Sequence, residues 1–418
     1  MRIAYHCQDV VGLRMAGPGI RAVELSRRLA EHHEVTLVAE GAHELAGETF
    51  RASRDLGTAL RGAEAFITQG FGFPLPQLLR FRGRLLLDLY DPVQLEQLAH
   101  MGPSPTPEQV VQVGYVRRRL HYLIRRADHV LCASRPQRAL WLGWLGACGR
   151  LTPRALAEDP QASRLLAVVP FGLPETPPLR DGSPLRAAIG AAPGDHVALW
   201  AGGLWDWMDP ALAVRAATLS RQRIPGLKLA LLAGQRPGTA APPMRAAADE
   251  ARAVAGAGVH FVDRWVPYEE RGAWLLDADV AVSAHKPSLE AELAFRTRLL
   301  DCLWAALPAA CTAGDVLASE GEQQGWARTA PTGDHAALAD ALVALCDPGT
   351  NQKARDAARL AAASRTWQRS ADTVLELLDS PAPPRPALLS RETPALTAVF
   401  ARKVLRKLLG RAPRLRGR

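Results

Sequence analysis

The sequence has 418 residues, of which 48% are hydrophobic and 22% charged, a composition typical of a globular protein and not of a disordered one. This length exceeds what one hydrophobic core usually serves and predicts two domains. The net charge is +9, but eight basic residues and no acidic ones follow position 400. The folded body is therefore close to neutral, which argues against specific nucleic-acid binding.

The six cysteines are scattered, with no Cys-x-x-Cys pair, and most lie in apolar runs. This pattern favours buried thiols in a reducing compartment over disulfides or a zinc site. The first residues lack the pattern of a signal peptide, and no apolar run reaches the ~18 residues that a membrane span needs. We therefore expect a cytoplasmic protein.

Strand-like and helix-like segments alternate through the first part of the chain. The β-rich runs are, in order, RIAYHC, EVTLVA, RLLLDL, HVLCA and LLAVVP. This alternation predicts an α/β domain, a parallel sheet with helices on both faces, over residues 1–172.

The segment AGPGIRA follows the first predicted strand and begins a helix, in the pattern Gly17-x-Gly19-x-x-Ala22. Glycines there let a phosphate approach the backbone at a helix N-terminus. Glu40 lies about 20 residues on, where an NAD-binding domain keeps its ribose-binding acid, so an NAD-linked oxidoreductase is one alternative. However, about nine residues separate the strand from Gly17, which is too many for the tight turn of that fingerprint. A glycine loop reaching across a cleft, or a plain helix-entry loop, fits the spacing better.

The motif DLYD, Asp88 to Asp91, follows a hydrophobic strand and ends on the expected cleft side of the first domain. One of its acids, for which we select Asp91, is a candidate for holding an acceptor hydroxyl. The alternative is that both acids form a turn.

Prolines are dense over residues 173–195, which predicts a linker. The alternation then restarts with HVALWA, LKLALLA, VHFV, DVAVSA and LPAACT. We therefore predict a second Rossmann-like domain over residues 196–365. Ligands of open parallel sheets bind at the carboxyl ends of the strands, so a cleft between the two domains is the expected site.

The second domain begins with a strand that runs directly into Gly202 and Gly203, followed by Trp205 and Trp207. Paired glycines at a strand end let a diphosphate approach closely. The tryptophans either stack on a ligand ring or cap the end of the sheet, and the adjacent glycines favour the ligand.

The DAD sequence at Asp277 to Asp279 resembles the metal-binding Asp-x-Asp of some sugar transferases. It precedes its strand, however, and predicts a helix end instead. We therefore expect no metal site there.

The densest polar cluster follows the strand DVAVSA and continues into a helix. Its members are His285, Glu290, Glu292, Arg296, Arg298 and Asp301. Arg298 and Asp301 are spaced for a helix-surface ion pair, whereas Arg296 has no evident partner. Guanidinium groups at the start of a helix bind phosphate well, so we expect an anionic ligand here, with Phe295 and Leu299 also contacting it.

The last part of the chain predicts a helix at 366–380, then a Pro-rich linker and a basic tail over 381–418. In LTAVFARKVLRKLLGR the apolar residues occupy one half of a helical wheel and the basic residues the other. We hypothesise that residues 396–418 contact an anionic membrane face. An exposed helix and RNA adhesion are the alternatives.

In order, the motifs GPGIR, ADHVLCAS, VVPFGLP, GGLWDW, RWVPYEERGAWLLDADVAVS and FRTRLLDCLWAALP resemble those of retaining glycosyltransferases of family 4. The similarity covers roughly residues 1–380. It implies the GT-B fold, in which two Rossmann-like domains face a cleft. It also implies transfer of a sugar from a nucleotide-diphosphate sugar to a hydroxyl of a glycan, glycolipid or small metabolite, with retention of configuration and with no metal or other cofactor.

The resemblance further implies roles for individual residues. Asp301 stands at the position of the family's ribose-binding acid. The family's other acid, eight residues earlier, falls on Leu293, so Glu290 or Glu292 is the expected substitute. Trp265 lies where the family's backbone contacts the base.

The basic pair that the family places after the strand-end glycine is absent from GGLWDW. Arg296 and Arg298, helped by Arg236, are therefore expected to bind the diphosphate. The resemblance leaves two other classes open, the NAD-linked oxidoreductase and a non-catalytic nucleotide-binding protein that docks on a membrane.

Overall fold

The computed structural model describes residues 1–70, 75–99, 101, 104–205, 207–234 and 243–383. These residues form two parallel sheets, of seven and six strands, each covered by helices. The predicted α/β class with two Rossmann-like domains is therefore confirmed.

The first sheet has the spatial order β3-β2-β1-β4-β5-β6-β7. Its strands are β1 (Arg2–Val10), β2 (Glu34–Glu40), β3 (Arg51–Ser53), β4 (Ala65–Gln69), β5 (Arg84–Asp88), β6 (His129–Cys132) and β7 (Leu166–Val168). The sequence patterns do not identify β3, which is short and polar, or β4. β1 continues to Val10 after a change of register past His6, so its connection to the next helix is shorter than predicted.

The helices of this domain lie between the strands. They are α1 (Gly17–Ala30), a 3-10 turn (Ala42–Leu45), α2 (Leu56–Leu60), α3 (Leu75–Arg80), α4 (Val93–Ala99), α5 (Pro107–Arg126), α6 (Arg135–Ala147) and α7 (Pro153–Glu158). Thr106, Ser134 and Thr152 cap α5, α6 and α7 through their side chains, and a proline follows each of them in the first turn. Both features are strong signals for where a helix begins.

The second sheet has the order β10-β9-β8-β11-β12-β13. Its strands are β8 (His196–Trp200), β9 (Leu227–Leu232), β10 (Val259–Val262), β11 (Val280–Ser283), β12 (Ala309–Thr312) and β13 (Ala327–Ala330). The strand patterns named from the sequence cover all of these except β13.

The remaining helices follow from residue 184 onward. They are α8 (Pro184–Ala188), α9 (Pro210–Ser220), α10 (Pro243–Ala253), α11 (Arg271–Leu276), α12 (Leu289–Leu293), α13 (Thr297–Trp304), α14 (Val316–Gln324), α15 (His335–Cys346), α16 (Pro348–Ala362) and α17 (Trp367–Asp379). α8 lies inside the predicted linker. A helix is possible there because Pro184 occupies its first turn, where the missing N–H is not needed.

The DAD sequence has a structural role, as predicted. Asp277 lies at the C-terminal end of α11, and a side-chain oxygen of Asp279 lies 2.6 Å from Nη2 of Arg186. Both acids thus hold α8 against the second sheet.

Three hydrophobic clusters hold the two sheets. One covers the face of the first sheet under α5 and α6, and another covers the face of the second sheet under α9 and α15. The third is continuous between the domains and includes side chains of α1, α13 and α17. The two domains therefore share one hydrophobic cluster at the cleft.

The chain passes between the domains at two adjacent segments. The backbone N–H of Leu173 donates to the carbonyl of Arg365 at 2.7 Å, and the Ser370 hydroxyl donates to the carbonyl of Pro170 at 2.8 Å. A Cβ on Gly172 would lie 2.3 Å from the backbone nitrogen of Trp367, so only glycine fits there. α17 packs against α1 and thus lies on the first domain.

Among the described residues, no helix is both long and apolar enough to cross a bilayer. The predicted basic tail at 396–418 lies outside the described residues.

Candidate active site

Two adjoining cavities lie in the cleft between the sheets. Cavity A, about 240 Å³, is bordered on the second domain by Gly202, Gly203 and Gly234, which follow β8 and β9. Cavity B, about 340 Å³, lies beside it. The residues common to both are Ala16, Gly17, Trp205, Thr297 and Arg298. This is the strand-end position where open parallel sheets bind ligands.

Two helix N-termini meet at the boundary of the cavities. α1 begins at Gly17 and α13 at Thr297, and neither has a side-chain cap. A Cβ on Gly17 would lie 3.8 Å from Oγ1 of Thr297, so the two ends face each other closely. Uncapped N–H groups and the helix dipoles make such a place favourable for an anion.

Arg298 borders both cavities at this point. Its Nη2 donates to the carbonyl of Gly203 at 3.3 Å, its guanidinium lies 5.2 Å from the centre of the Trp200 ring, and its Nη1 has no hydrogen-bond partner among the described residues. Burial, and then the charge of Arg296, lower the pKa of Arg298 to about 10. A lowered pKa means that the positive charge lacks compensation, which a bound anion would supply.

Arg296 is placed differently from the prediction that it lacks a partner. Its side chain is buried, with Nε 2.7 Å from Oδ2 of Asp315, and its Nη1 donates to the carbonyl of Thr312 at 2.7 Å. The sequence could not show this pair, because Asp315 comes from the loop after β12. Arg296 borders cavity B but not cavity A.

Asp301 does not pair with Arg298, contrary to one reading of their spacing. Its Oδ1 lies 3.1 Å from Nε of Arg271. The Arg271 guanidinium lies between two aromatic rings, 3.5 Å from the centre of Tyr268 and 4.3 Å from that of Trp304. Asp301 is thereby held at the edge of cavity A and remains about one-third exposed.

The far end of cavity A is aromatic. Trp265, Val266 and Tyr268 border it, together with Trp274. Trp205 and Trp207 stack on each other, with ring centres 5.0 Å apart and an angle of 12° between their planes. Trp207 borders cavity B, and Trp205 borders both cavities.

His285 borders cavity B and is only 2% exposed. Neither of its ring nitrogens has a hydrogen-bond partner among the described residues. Burial, followed by the charges of Arg296 and Arg298, lowers the pKa of His285 well below its usual value. The imidazole is therefore neutral and offers one donor and one acceptor.

Four acidic residues from both domains border cavity B, Asp9, Asp91, Glu96 and Glu290, and the pKa is raised for the last three. Asp91 and Glu96 belong to the first domain and Glu290 to the second. Burial and the Asp91 charge raise the pKa of Glu96 to about 9, and the same two causes raise that of Glu290 to about 7. Burial also raises the pKa of Asp91, opposed by a hydrogen bond that it accepts from protonated Glu96.

No family model and no curated protein sequence matches the chain. Several solved structures do match it. Sucrose-phosphate synthase from Thermosynechococcus elongatus is 17% identical with a TM-score of 0.61, over 90% of this chain and 98% of its own. Anabaena HepE in complex with UDP and glucose is 15% identical with a TM-score of 0.62, over 91% and 100%. A trehalose 6-phosphate synthase from Burkholderia multivorans is 12% identical with a TM-score of 0.61, over 90% and 97%.

The chain has the GT-B fold. At these identities the likeness establishes the fold and its cleft, and the residues that border the cleft must be judged from their own geometry. In this GT-B cleft, the first domain contributes the N-terminus of α1, and the second contributes the strand-end glycines and α13.

The GT-B cleft brings together most of the predicted site residues. Those that border a cavity are Gly17, Asp91, Gly202, Gly203, Trp205, Trp265, His285, Glu290, Phe295, Arg296, Arg298 and Asp301. Gly19 borders neither cavity. A Cβ at this position would lie 2.6 Å from the carbonyl oxygen of Val10, so the role of Gly19 is to let α1 pack closely against β1. Leu299 is wholly buried in the core, so its expected ligand contact is wrong. Arg236 lies outside the described residues.

The residues of this site that sequence reasoning missed include Glu96, Thr297 and Arg271. Thr297 lies between the predicted site residues Arg296 and Arg298, and its position in the first turn of α13 indicates that it is near the predicted anion. Nothing in the sequence distinguishes Glu96 or Arg271 from ordinary surface residues.

We expect Glu96→Gln to raise the melting temperature more at pH 8 than at pH 5. The folded-state pKa of Glu96, about 9, lies above its unfolded value. Between these two pKa values the unfolded state releases the proton and the folded state keeps it, so Glu96 lowers the free energy of unfolding increasingly as the pH rises. Thermal unfolding at both pH values checks this, with the exposed Glu292→Gln as control. An equal change at both values would contradict the raised pKa.

Proposed function

We propose that the protein is a glycosyltransferase that takes its sugar from a nucleotide-diphosphate sugar. The observation that carries this proposal is Arg298, which borders both cavities without a carboxylate partner among the described residues. It stands beside two uncapped helix N-termini. A diphosphate at this place would meet a guanidinium and two sets of free N–H groups.

The remainder of cavity A suits a nucleoside. The base would lie against Trp265, Val266 and Tyr268, and the ribose hydroxyls would bind the free oxygen of Asp301, which Arg271 holds in place. The diphosphate then lies at the boundary of the cavities, and the sugar extends into cavity B.

The same placement suits the chemistry of transfer. As the bond between the anomeric carbon and the phosphate oxygen breaks, negative charge grows on the diphosphate next to Arg298. We propose that the acceptor oxygen bonds to the same face of an oxocarbenium-like sugar, so that configuration is retained, and that its proton passes to the departing phosphate. Because Arg298 and the helix N-termini supply the positive charge, we propose that no metal ion is required.

Solved GT-B structures suggest which donor to test first. Anabaena HepE has been crystallised with UDP and glucose, and also with UDP-glucose. Uridine nucleotides are therefore the first donors to test for this chain.

The NAD-linked alternative has less support. Glu40, which would hold the ribose of NAD, borders neither cavity. Gly19 also borders neither cavity.

A thermal-shift panel of UDP, GDP, TDP, ADP and NAD tests the proposal. A ligand at a hundred times its dissociation constant adds about 2.7 kcal/mol, which moves the melting temperature by several degrees. We expect a shift with one nucleoside diphosphate and none with NAD. A shift with NAD alone would overturn the proposal.

The membrane contact of residues 396–418 stays a hypothesis, motivated by their basic amphipathic pattern. Sedimentation with anionic vesicles is expected for the full chain and not for a chain that ends at residue 392. Equal sedimentation of both would remove the idea, and with it the membrane-docking alternative.

A further inference from the structure

We propose that cavity B binds an acceptor through a protonated amine, which the carboxyl groups of Asp91, Glu96 and Glu290 hold. This inference rests on the proposed function, because it assigns the part of cavity B around Asp91 and Glu96 to the acceptor of a sugar transfer, beside the donor sugar. The class of acceptor is an amine that also carries hydroxyl groups, such as an amino sugar or an aminocyclitol.

The three carboxyl groups converge from both sides of the cleft. Glu96 lies on α4 and Asp91 just before it, while Glu290 lies on α12, and these two helices pack against each other. Cavity B meets cavity A at Gly17 and Arg298. A molecule bound among the carboxyl groups therefore lies next to the place proposed for the donor diphosphate.

The positive charges near cavity B do not neutralise this group. Arg296 forms a buried pair with Asp315, and Arg298 lies at the boundary with cavity A. Burying carboxylates without such compensation is costly, and the raised pKa values of Glu96 and Glu290 express that cost. An ammonium ion is the kind of partner that would let them ionise.

His285 gives a second, independent indication of a ligand. Its imidazole is 98% buried, borders cavity B, and has no hydrogen-bond partner on either nitrogen among the described residues. A buried polar group left unpaired destabilises the folded state. Because the neutral ring has one donor and one acceptor, a hydroxyl group of the ligand is a suitable partner.

The size and shape of the site favour an organic amine over a metal ion. The described histidine, cysteine and acidic side chains form no group of three placed to hold a metal ion. The volume of about 340 Å³ suits a small molecule. The rings of Trp207 and Phe295 also border the cavity and provide apolar surface for a sugar or cyclitol ring.

Calorimetric titration of the full chain with UDP present tests the inference. The probes are methyl glucosaminide, its N-acetyl derivative and methyl glucoside, at about pH 6.5, where free amines are mainly charged and Glu96 is protonated. We expect the amine to bind about 10- to 100-fold more tightly than the two neutral probes. Titration in buffers of different ionisation enthalpy should also show proton release, because the bound amine ionises a carboxyl group.

Glu96→Gln is expected to reduce both the preference for the amine and the proton release, and adding Glu290→Gln, whose pKa of about 7 also leaves it largely protonated at this pH, is expected to reduce both further. Glu292→Gln is the matched control, because this exposed glutamate on α12 borders neither cavity. Equal affinity for all three probes, or no binding of any, overturns the inference. An amine preference that Glu96→Gln and Glu290→Gln together leave unchanged also overturns it, since the amine would then bind elsewhere. Nucleoside diphosphate binding without amine binding would sink this inference alone, whereas a failure of UDP, GDP, TDP and ADP all to bind would sink the proposed function.

Discussion

Replacing Arg298 with alanine is expected to lower the rate of nucleoside diphosphate release from the donor that the thermal-shift panel identifies by about 10²- to 10³-fold, the usual cost of removing a group that stabilises transition-state charge. The thermal shift with UDP should also disappear. The reason is that Arg298 is the cavity-lining arginine without a carboxylate partner among the described residues, whereas Arg271 pairs with Asp301 and Arg264 with Glu270.

The same site predicts an opposite effect on the stability of the ligand-free protein. Because the pKa of Arg298 is lowered to about 10, its charge is less favourable in the folded than in the unfolded state below that pH. Arg298→Met should therefore raise the melting temperature without ligand while abolishing UDP binding. Arg223→Ala, which alters an exposed pair with Asp340, is the control and should change neither. An Arg298→Met protein that still binds UDP with unchanged affinity would contradict the proposed site.

Replacing Arg21 with methionine is expected to destabilise the fold by about 3–5 kcal/mol, the cost of leaving a buried carboxylate unpaired. Arg21 and Asp88 are both fully buried and joined by two hydrogen bonds of 2.8 and 2.9 Å. Tyr5 also donates to Asp88 at 3.1 Å, and the Arg21 guanidinium lies 5.0 Å from the centre of the Phe171 ring. Urea unfolding monitored by tryptophan fluorescence measures the loss.

A double variant separates the unpaired charge from the lost packing. Arg21→Met combined with Asp88→Leu removes both charges and should recover much of the stability that the single change loses. A double variant that is less stable than Arg21→Met alone would mean that the pair is not the source of the loss. Asp88 thus has a structural role, which leaves Asp91 as the acid of the DLYD motif that faces the cleft.

Much of the fold could be predicted from the sequence because it depends on local patterns. Alternating apolar strands and amphipathic helices indicated two parallel sheets, and the glycines after β8 indicated a strand-end site. Arg296 and Arg298 show where this reasoning stops. They are two residues apart and equal in charge. Arg296 forms an ion pair with Asp315 from the loop after β12, whereas Arg298 borders both cavities. Only the tertiary structure distinguishes them.

Cavity B was even less accessible from the sequence. Glu96 is one polar residue in a short helix, and its unusual environment arises only because α12 of the other domain packs against α4. Arg271 similarly acquires its place from Tyr268 and Trp304 on either side. A residue that is buried only where two domains contact each other does not contribute to the hydrophobic periodicity of its own segment.

The position of α17 on the first domain affects how the chain is made. The Ser370 hydroxyl binds the carbonyl of Pro170, 200 positions earlier, and Arg84 binds the carbonyl of Leu377 at 3.0 Å. Ribosomes add about 5–20 residues per second, so the nascent first domain waits about 10–40 s for the helix that covers α1. During translation its apolar surface is exposed, and the domain that begins first is completed last.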